Sequence, residues 1–255
     1  MLRKKFEDDL NNLFISLNIK NGDNIMLHSN SAGINQFSNR KIQKKLYKIF
    51  FIKLLKKIGR NGTLIIPTYN YDFTKGHLFN HNSYNSQVGY LSNYFLKNFS
   101  PKRTYDPVFS HAVKGKLQNK FLNKKNYECF GEKSIFRNVY DYNFKILGFC
   151  CSLNTMTFLH YLEKKFNVGY RYNKKFSSNM IIGKKKTKVT IKYFVGKKIK
   201  DYKLKSRKIE DAFKNSSNFL FSDFGKFNCW IINSKNCYQL IKKKIKKKDD
   251  YLINE

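Results

Sequence analysis

Leu147–Glu163, LGFCCSLNTMTFLHYLE, reads as a buried strand that delivers a helix. Ile146, Leu147, Phe149 and Cys150 form a short apolar run around Gly148, the pattern of a central strand covered on both faces. Asn154 or Thr155 is placed to cap the next helix. From Thr155 on, Met156, Leu159, Leu162 and Phe166 recur at helical spacing, so His160 and Glu163, at i and i+3, occupy neighbouring positions on one helix face. A carboxylate beside one imidazole nitrogen fixes the tautomer and favours the imidazolium formed when the other nitrogen takes a proton. A solvated surface helix also produces such pairs. The position of this one favours chemistry, because ligands of open α/β sheets bind at the carboxyl ends of the strands.

Outward from this junction the chain alternates helix and strand. The spacing predicts helices over Leu2–Leu17, Lys41–Ile58 and Val88–Phe99, the last capped by Ser86, and strands over Asn24–His28, Thr63–Pro67 and Val108–Lys114. Later, Lys188–Val195 and Phe227–Ile232 read as antiparallel strands. The expected fold class is α/β, a layered α/β/α arrangement with a mostly parallel central sheet and late antiparallel strands. Residues 1–235 are expected to form a single domain and residues 236–255 a basic C-terminal helix or tail. The aromatic, polar loop Tyr69–Gln87 is too long for a mere connection and is a candidate substrate lid or wall.

A chain of 255 residues with 41% hydrophobic content can bury a substantial core. The net charge of +34 would ordinarily suggest a nucleic acid or an anionic membrane. Only seven of the 51 basic residues are Arg, and the Lys residues are scattered over every predicted solvent face, as a compositional bias produces. No nucleic-acid partner is therefore expected, and a charge-driven nucleic-acid or membrane-surface binding protein is the alternative from another class. The run Lys242–Lys248, KKKIKKK, reads as a solvated terminal helix or as a weak peripheral contact with an anionic leaflet. The five cysteines lack metal-ligand spacing and mostly sit in apolar runs, so they read as reduced core residues with no metal. Cys150 and Cys151 are poor nucleophile candidates, since a desolvated thiol holds little thiolate. An amphipathic N-terminus without a signal peptide's apolar core points to the cytoplasm.

Five segments in order carry a resemblance: MLHSNSAGI at 26–34, NGTLIIPTY at 61–69, SQVGYLSNYFLKNF at 86–99, RTYDPVFSHAVKGK at 103–116 and LGFCCSLNTMTFLHYLEKKF at 147–166. Together they resemble the aminoglycoside 3-N-acetyltransferase family over roughly residues 5–235. The resemblance implies an acetyl-coenzyme A-dependent N-acyltransferase, with acetyl-CoA as co-substrate. An amine is protonated at neutral pH, so direct transfer needs a base. His160 is expected in that role, with Glu163 orienting it and Thr157 hydrogen-bonding the thioester carbonyl or the acceptor. Related members tend to carry an acidic residue where this chain has Asn154.

After the strand ending at His28, the small and hydroxylated residues Ser29, Asn30, Ser31, Ala32 and Gly33 suit a pyrophosphate cradle near a following helix, or an ordinary turn. Ser110 resembles a family position near the cofactor, though a Ser in a strand is more often simply packed. Tyr69, Tyr71, Asp72 and Phe73 begin the substrate loop, whose aromatic residues offer a sugar ring a stacking surface. Carboxylates are scarce, 17 in all, and the DPVFS form of the fourth motif resembles members from polysaccharide clusters. The expected acceptor is thus an amino sugar, neutral or anionic, such as a nucleotide-linked sugar for a surface polysaccharide, the alternative being an aminoglycoside and drug resistance.

Overall fold

The computed structural model describes residues 2–253 except 39–40, 83–84, 123–126 and 198–201. Within these the order is α1 (Leu2–Ser16), β1 (Asn24–Ser29), α2 (Ala32–Asn35), α3 (Gln43–Ile58), β2 (Thr63–Pro67), β3 (Phe79–Asn80), α4 (Tyr90–Asn98), β4 (Lys102–Arg103), β5 (His111–Gly115), α5 (Gln118–Leu122), α6 (Ile135–Asp141) and β6 (Lys145–Phe149). Then come α7 (Phe158–Lys165), β7 (Arg171–Ile182), β8 (Lys185–Gly196), α8 (Ser206–Phe213), β9 (Phe219–Phe224), β10 (Phe227–Asn233) and α9 (Ser234–Lys247).

A seven-stranded sheet runs β4-β5-β2-β1-β6-β10-β9. Its centre, β2-β1-β6, is parallel, whereas β5 and β10 lie antiparallel on either side and each edge strand reverses again. Five of the seven strands therefore point one way. The period-2 alternation of the strands divides the core. Ile25, Leu27, Leu64, Ile66 and Leu147 face Phe6 and Leu10 of α1, Phe50 and Leu54 of α3, and Phe95 of α4. Met26, Ile65, Ile146, Trp230 and Ile232 face the opposite layer, where α6, α7 and α9 contribute Phe136, Leu159, Leu162, Ile241 and Ile245. With both faces covered, the central strands have no polar alternation, which is why they read as continuous apolar runs.

Gly148 is demanded by this packing. A Cβ there would lie 2.0 Å from the Trp230 ring, whose Nε1 donates to the Cys151 carbonyl at 2.7 Å. Gly148→Ala is expected to destabilise the fold by about 1–3 kcal/mol through overpacking. Thermal unfolding of the variant checks this, and an unchanged midpoint would refute it.

Two expectations are revised. The helix carrying His160 begins at Phe158, because Leu153–Thr155 forms a separate 3-10 turn and Met156 leaves it with ψ 87; Thr157, rather than Asn154 or Thr155, takes the N-cap position. The strand expected from Val108 starts at His111, since the Asp106 carboxylate accepts from Val108 N and Phe109 N and bends the chain first. The basic segment expected from 236 forms most of α9, whose Cys237, Ile241 and Ile245 enter the core shared with α7 and β10 while the lysines occupy its other faces. The strand expected at 188–195 is antiparallel as read, and it lies in a second sheet, β3-β7-β8, as half of a hairpin of two 12-residue strands turning at Gly183 (φ +60). Its partner β7, RYNKKFSSNMII, is mostly polar and is a strand because β8 pairs with it along its whole length.

Among the described residues no helix is long and apolar enough to cross a membrane and no group of side chains could hold a metal ion.

Candidate active site

A cleft of about 340 Å³ opens where β1, β2 and β6 end. His28 and Ser29 from β1, Pro67, Tyr69 and Tyr71 from the end of β2, and Cys151 from the end of β6 form its floor. Val88, Gly89 and Ser92 at the start of α4 form one wall, and Asn154, Thr155, Thr157 and His160 form another. Cys150 (φ +54) turns the chain abruptly out of β6 and packs its thiol on Gly33, where a Cβ would stand 2.1 Å from Sγ.

His160 Nδ1 lies 2.5 Å from Glu163 Oε2, so the spacing read from the chain does form a pair. Glu163 is fully buried. The Tyr170 hydroxyl donates to its Oε1 at 2.7 Å, and Arg171 Nε stands 2.9 Å from Oε2. Burial alone would raise the Glu163 carboxyl; the charge and hydrogen bond of His160, the Arg171 guanidinium and the Tyr170 hydroxyl outweigh it and hold the group below its ordinary value. Asn167 in a left-handed conformation (φ 51) ends α7, and Val168 N donates to the Glu163 carbonyl, so the chain doubles back and lays Tyr170 and Arg171 over the carboxylate. With Nδ1 committed to Glu163, Nε2 is the ring nitrogen left to take a proton.

Beneath the cleft lie three neutral groups. His28 and His111 are buried, and desolvation holds them to about 4 and about 3, with the charge of His28 further opposing protonation of His111. His28 Nε2 and His111 Nδ1 have no hydrogen-bond partner among the described residues. The Tyr69 hydroxyl is 3.3 Å from His111 Nε2, and burial raises its phenol well above the usual range against the opposing influence of Thr157.

The other expected residues divide. Asn154 is exposed on the cleft rim and receives the Ser152 hydroxyl at 2.7 Å. Ser29 faces the cleft, but the turn after it is closed on itself: Asn30 N bonds Phe149 O, Ala32 N bonds Asn30 Oδ1, and Gly33 N bonds Asn30 O. Ser31 is half-buried and Gly33 is buried under Cys150. The three amides of Asn30, Ala32 and Gly33 are bonded within the chain. Ser110 is fully buried, bonded to the Thr68 carbonyl at 2.7 Å and receiving Arg103 Nε at 3.1 Å, and does not line the cleft. Phe73 is core. Asp72 is tied to Lys75 and the Gln87 amide; the Lys75 hydrogen bond leads the influences that outweigh desolvation and hold its carboxyl below the ordinary value.

Missed from the chain were Tyr170 and Arg171, which carry no local signal, and the start of α4. The latter was readable: Gly89 (φ +77) precedes a helical run as a glycine does where the backbone must turn. It offers no side-chain cap, and Ser86 and Asn93 clamp the turn through Ser86 N to Asn93 Oδ1 and Asn93 Nδ2 to Ser86 O. The first amides of α4 have no acceptor within the helix, and Gly89 and Ser92 beside them line the cleft.

The profile of the family described as aminoglycoside 3-N-acetyltransferase matches residues 26–246. No curated protein sequence matches the chain. Among solved structures the chain is similar to the YokD protein from Bacillus subtilis, at 17% identity and TM-score 0.80 over 95% of this chain and 94% of that one. It is also similar to AAC-IIIb in binary complex with CoASH, at 16% identity and TM-score 0.78 over 96% of both chains. A third likeness is to sisomicin-bound AAC-VIa, at 14% identity and TM-score 0.75 over 92% of this chain and 95% of that one.

Proposed function

Because the chain belongs to the aminoglycoside 3-N-acetyltransferase family and is an acetyl-CoA-dependent N-acetyltransferase, we propose that its acceptor is an amino sugar of low positive charge and that His160 is the general base of direct transfer. In that reaction the acceptor nitrogen attacks the thioester carbonyl, His160 Nε2 takes the proton the nitrogen loses, and the thiolate of coenzyme A departs. Glu163 keeps the ring in the tautomer that leaves Nε2 bare and balances the imidazolium as it forms. In this reading the Thr157 hydroxyl, on the cleft wall, donates to the thioester oxygen. The amides at the start of α4, beside Ser92 and Ser29, suit the acyl-donor arm better than the closed 29–33 turn does.

The observation that carries the acceptor reading is the charge of the walls. Among the described residues no Asp or Glu lines the cleft. Glu163, behind His160, is buried and already engaged by three side chains, and Asp72 is held by Lys75 and Gln87. A polycationic aminoglycoside would leave its ammonium groups unpaired there and meet a chain of net charge +34. Tyr71, exposed on the cleft and packed edge-on to the buried Tyr69 at 6.4 Å between centroids, instead gives a sugar ring an apolar face. A nucleotide-linked amino sugar of a surface polysaccharide fits these features.

Thiol release from acetyl-CoA is to be measured against a panel of nucleotide-linked amino sugars and aminoglycosides. The nucleotide-linked amines are expected to be turned over with the higher kcat/KM. Turnover confined to aminoglycosides would replace this acceptor with the drug.

A further inference from the structure

His160 and Arg171 share one oxygen of Glu163. Oε2 lies 2.5 Å from His160 Nδ1 and 2.9 Å from Arg171 Nε, while Oε1 is taken by the Tyr170 hydroxyl. The His160 ring is one-quarter exposed, whereas Glu163 is completely buried and the Arg171 side chain is 6% exposed. Arg171 Nε has no hydrogen-bond acceptor in line, so its contact with Oε2 is charge on charge; the guanidinium is anchored elsewhere, through NH2 to the Tyr202 carbonyl at 3.2 Å and against the Tyr170 and Tyr202 rings.

Resting on the reading of His160 as base, we propose that Arg171 is a positioning residue that sets how much of the Glu163 negative charge His160 feels, and so the pH above which the ring is free to accept a proton. A carboxylate serving His160 alone in a site this dry would stabilise the imidazolium at rest and leave the base already occupied. A permanent cation on the same oxygen offsets part of that pull. It still leaves the carboxylate able to accept from Nδ1.

The other groups around the pair are neutral or already engaged. From β8 comes Tyr193, from the segment after β8 Tyr202, and beyond α9 Asp249, whose carboxylate takes Gly169 N at 2.7 Å. On the Phe130 side, whose ring lies 5.4 Å from that of His160, Glu132 is paired with Lys165 and Arg137. Lys164, next to Glu163, turns away to Asn173. Across the cleft stand the neutral His28, Tyr69 and Cys151. Among the described residues Arg171 is the one permanent cation in contact with the carboxylate.

The test is an NMR titration of His160 in protein labelled with 13C at histidine Cε1, with His160→Ala identifying the signal. Arg171→Gln keeps a donor for the Tyr202 carbonyl and removes the charge, and it is expected to raise the His160 midpoint by about one pH unit. Arg171→Met is expected to do the same, and Arg171→Lys, which keeps the charge, to stay within about 0.3 unit of the wild type. A midpoint that is unmoved or lowered in whichever neutral variant folds overturns the proposal, as does an Arg171→Lys midpoint displaced as far as that of Arg171→Gln. No acceptor is needed for this readout. Failure of the base reading is separate: it would show as undiminished acetyl transfer by His160→Ala.

Discussion

His160→Ala is expected to lower kcat for acetyl transfer by about 10²–10⁴-fold, the range over which a positioned general base contributes. The acceptor amine arrives largely protonated, and attack on the thioester requires that its proton be taken within the cleft. The wall residues other than His160 are hydroxyls, amides, aromatic rings and apolar groups, with His28 and Cys151 the exceptions. Desolvation makes His28 a weak base, held to about 4, and raises the Cys151 thiol to about 11. Neither replaces the lost imidazole. Glu163→Gln preserves the shape of the side chain but removes its charge, and a smaller loss is expected because the base remains. Thiol release under saturating acetyl-CoA, with coenzyme A affinity measured by calorimetry, separates a chemical defect from a binding one. A kcat for His160→Ala within a few-fold of the wild type would remove His160 from the mechanism.

Acid is expected to weaken the fold well before the carboxylates titrate. An unfolded histidine takes up a proton near pH 6.5, whereas buried His28 and His111 hold out to about 4 and about 3, so in that interval the unfolded chain binds more protons. Their contribution is complete above about pH 6.5 and is lost as the pH falls. His81, lowered to about 4 by desolvation with Arg103 adding to it, acts in the same direction. Asp106 opposes them, because burial raises it to about 6 and its neutral form is relieved of desolvation on acidification. From pH 7 to pH 5 the two fully buried histidines remove about 4 kcal/mol and Asp106 returns about 1, a net loss of about 2–3 kcal/mol. For a chain of this length that lowers the melting temperature by about 5–10 °C. Calorimetric scans at the two pH values check it, and a midpoint equal or higher at pH 5 would contradict the burial of these rings.

How much of this was legible in the chain depended on how local each feature is. The central strands were readable because burial on both faces leaves an unbroken apolar run, and α1 and α3 because one-sided burial leaves a 3.6-residue period. Strand β7 was not, since a strand made polar on its solvent face depends on its partner rather than on its own composition. The 29–33 turn matched the composition of a phosphate loop, but composition does not say where amides point; Asn30 N goes to Phe149 O, and Ala32 N and Gly33 N to Asn30. Ser110 lay in a family motif, yet its hydroxyl serves the Arg103 and Thr68 network.

The sequence by itself determined that His160 and Glu163 meet, because residues three apart on a helix are neighbours whatever surrounds them. It also determined that this helix comes after a buried strand, and through five ordered motifs the family. Only the tertiary structure decided the charge environment of the pair. Arg171 and Tyr170 reach Glu163 because Asn167 adopts a left-handed turn and the hairpin folds back over α7. Likewise, the lack of carboxylates among the described residues of the cleft walls results from the convergence of four separate segments. Electrostatic interaction depends on distance through space and on exclusion of water, and no periodicity along the chain encodes either.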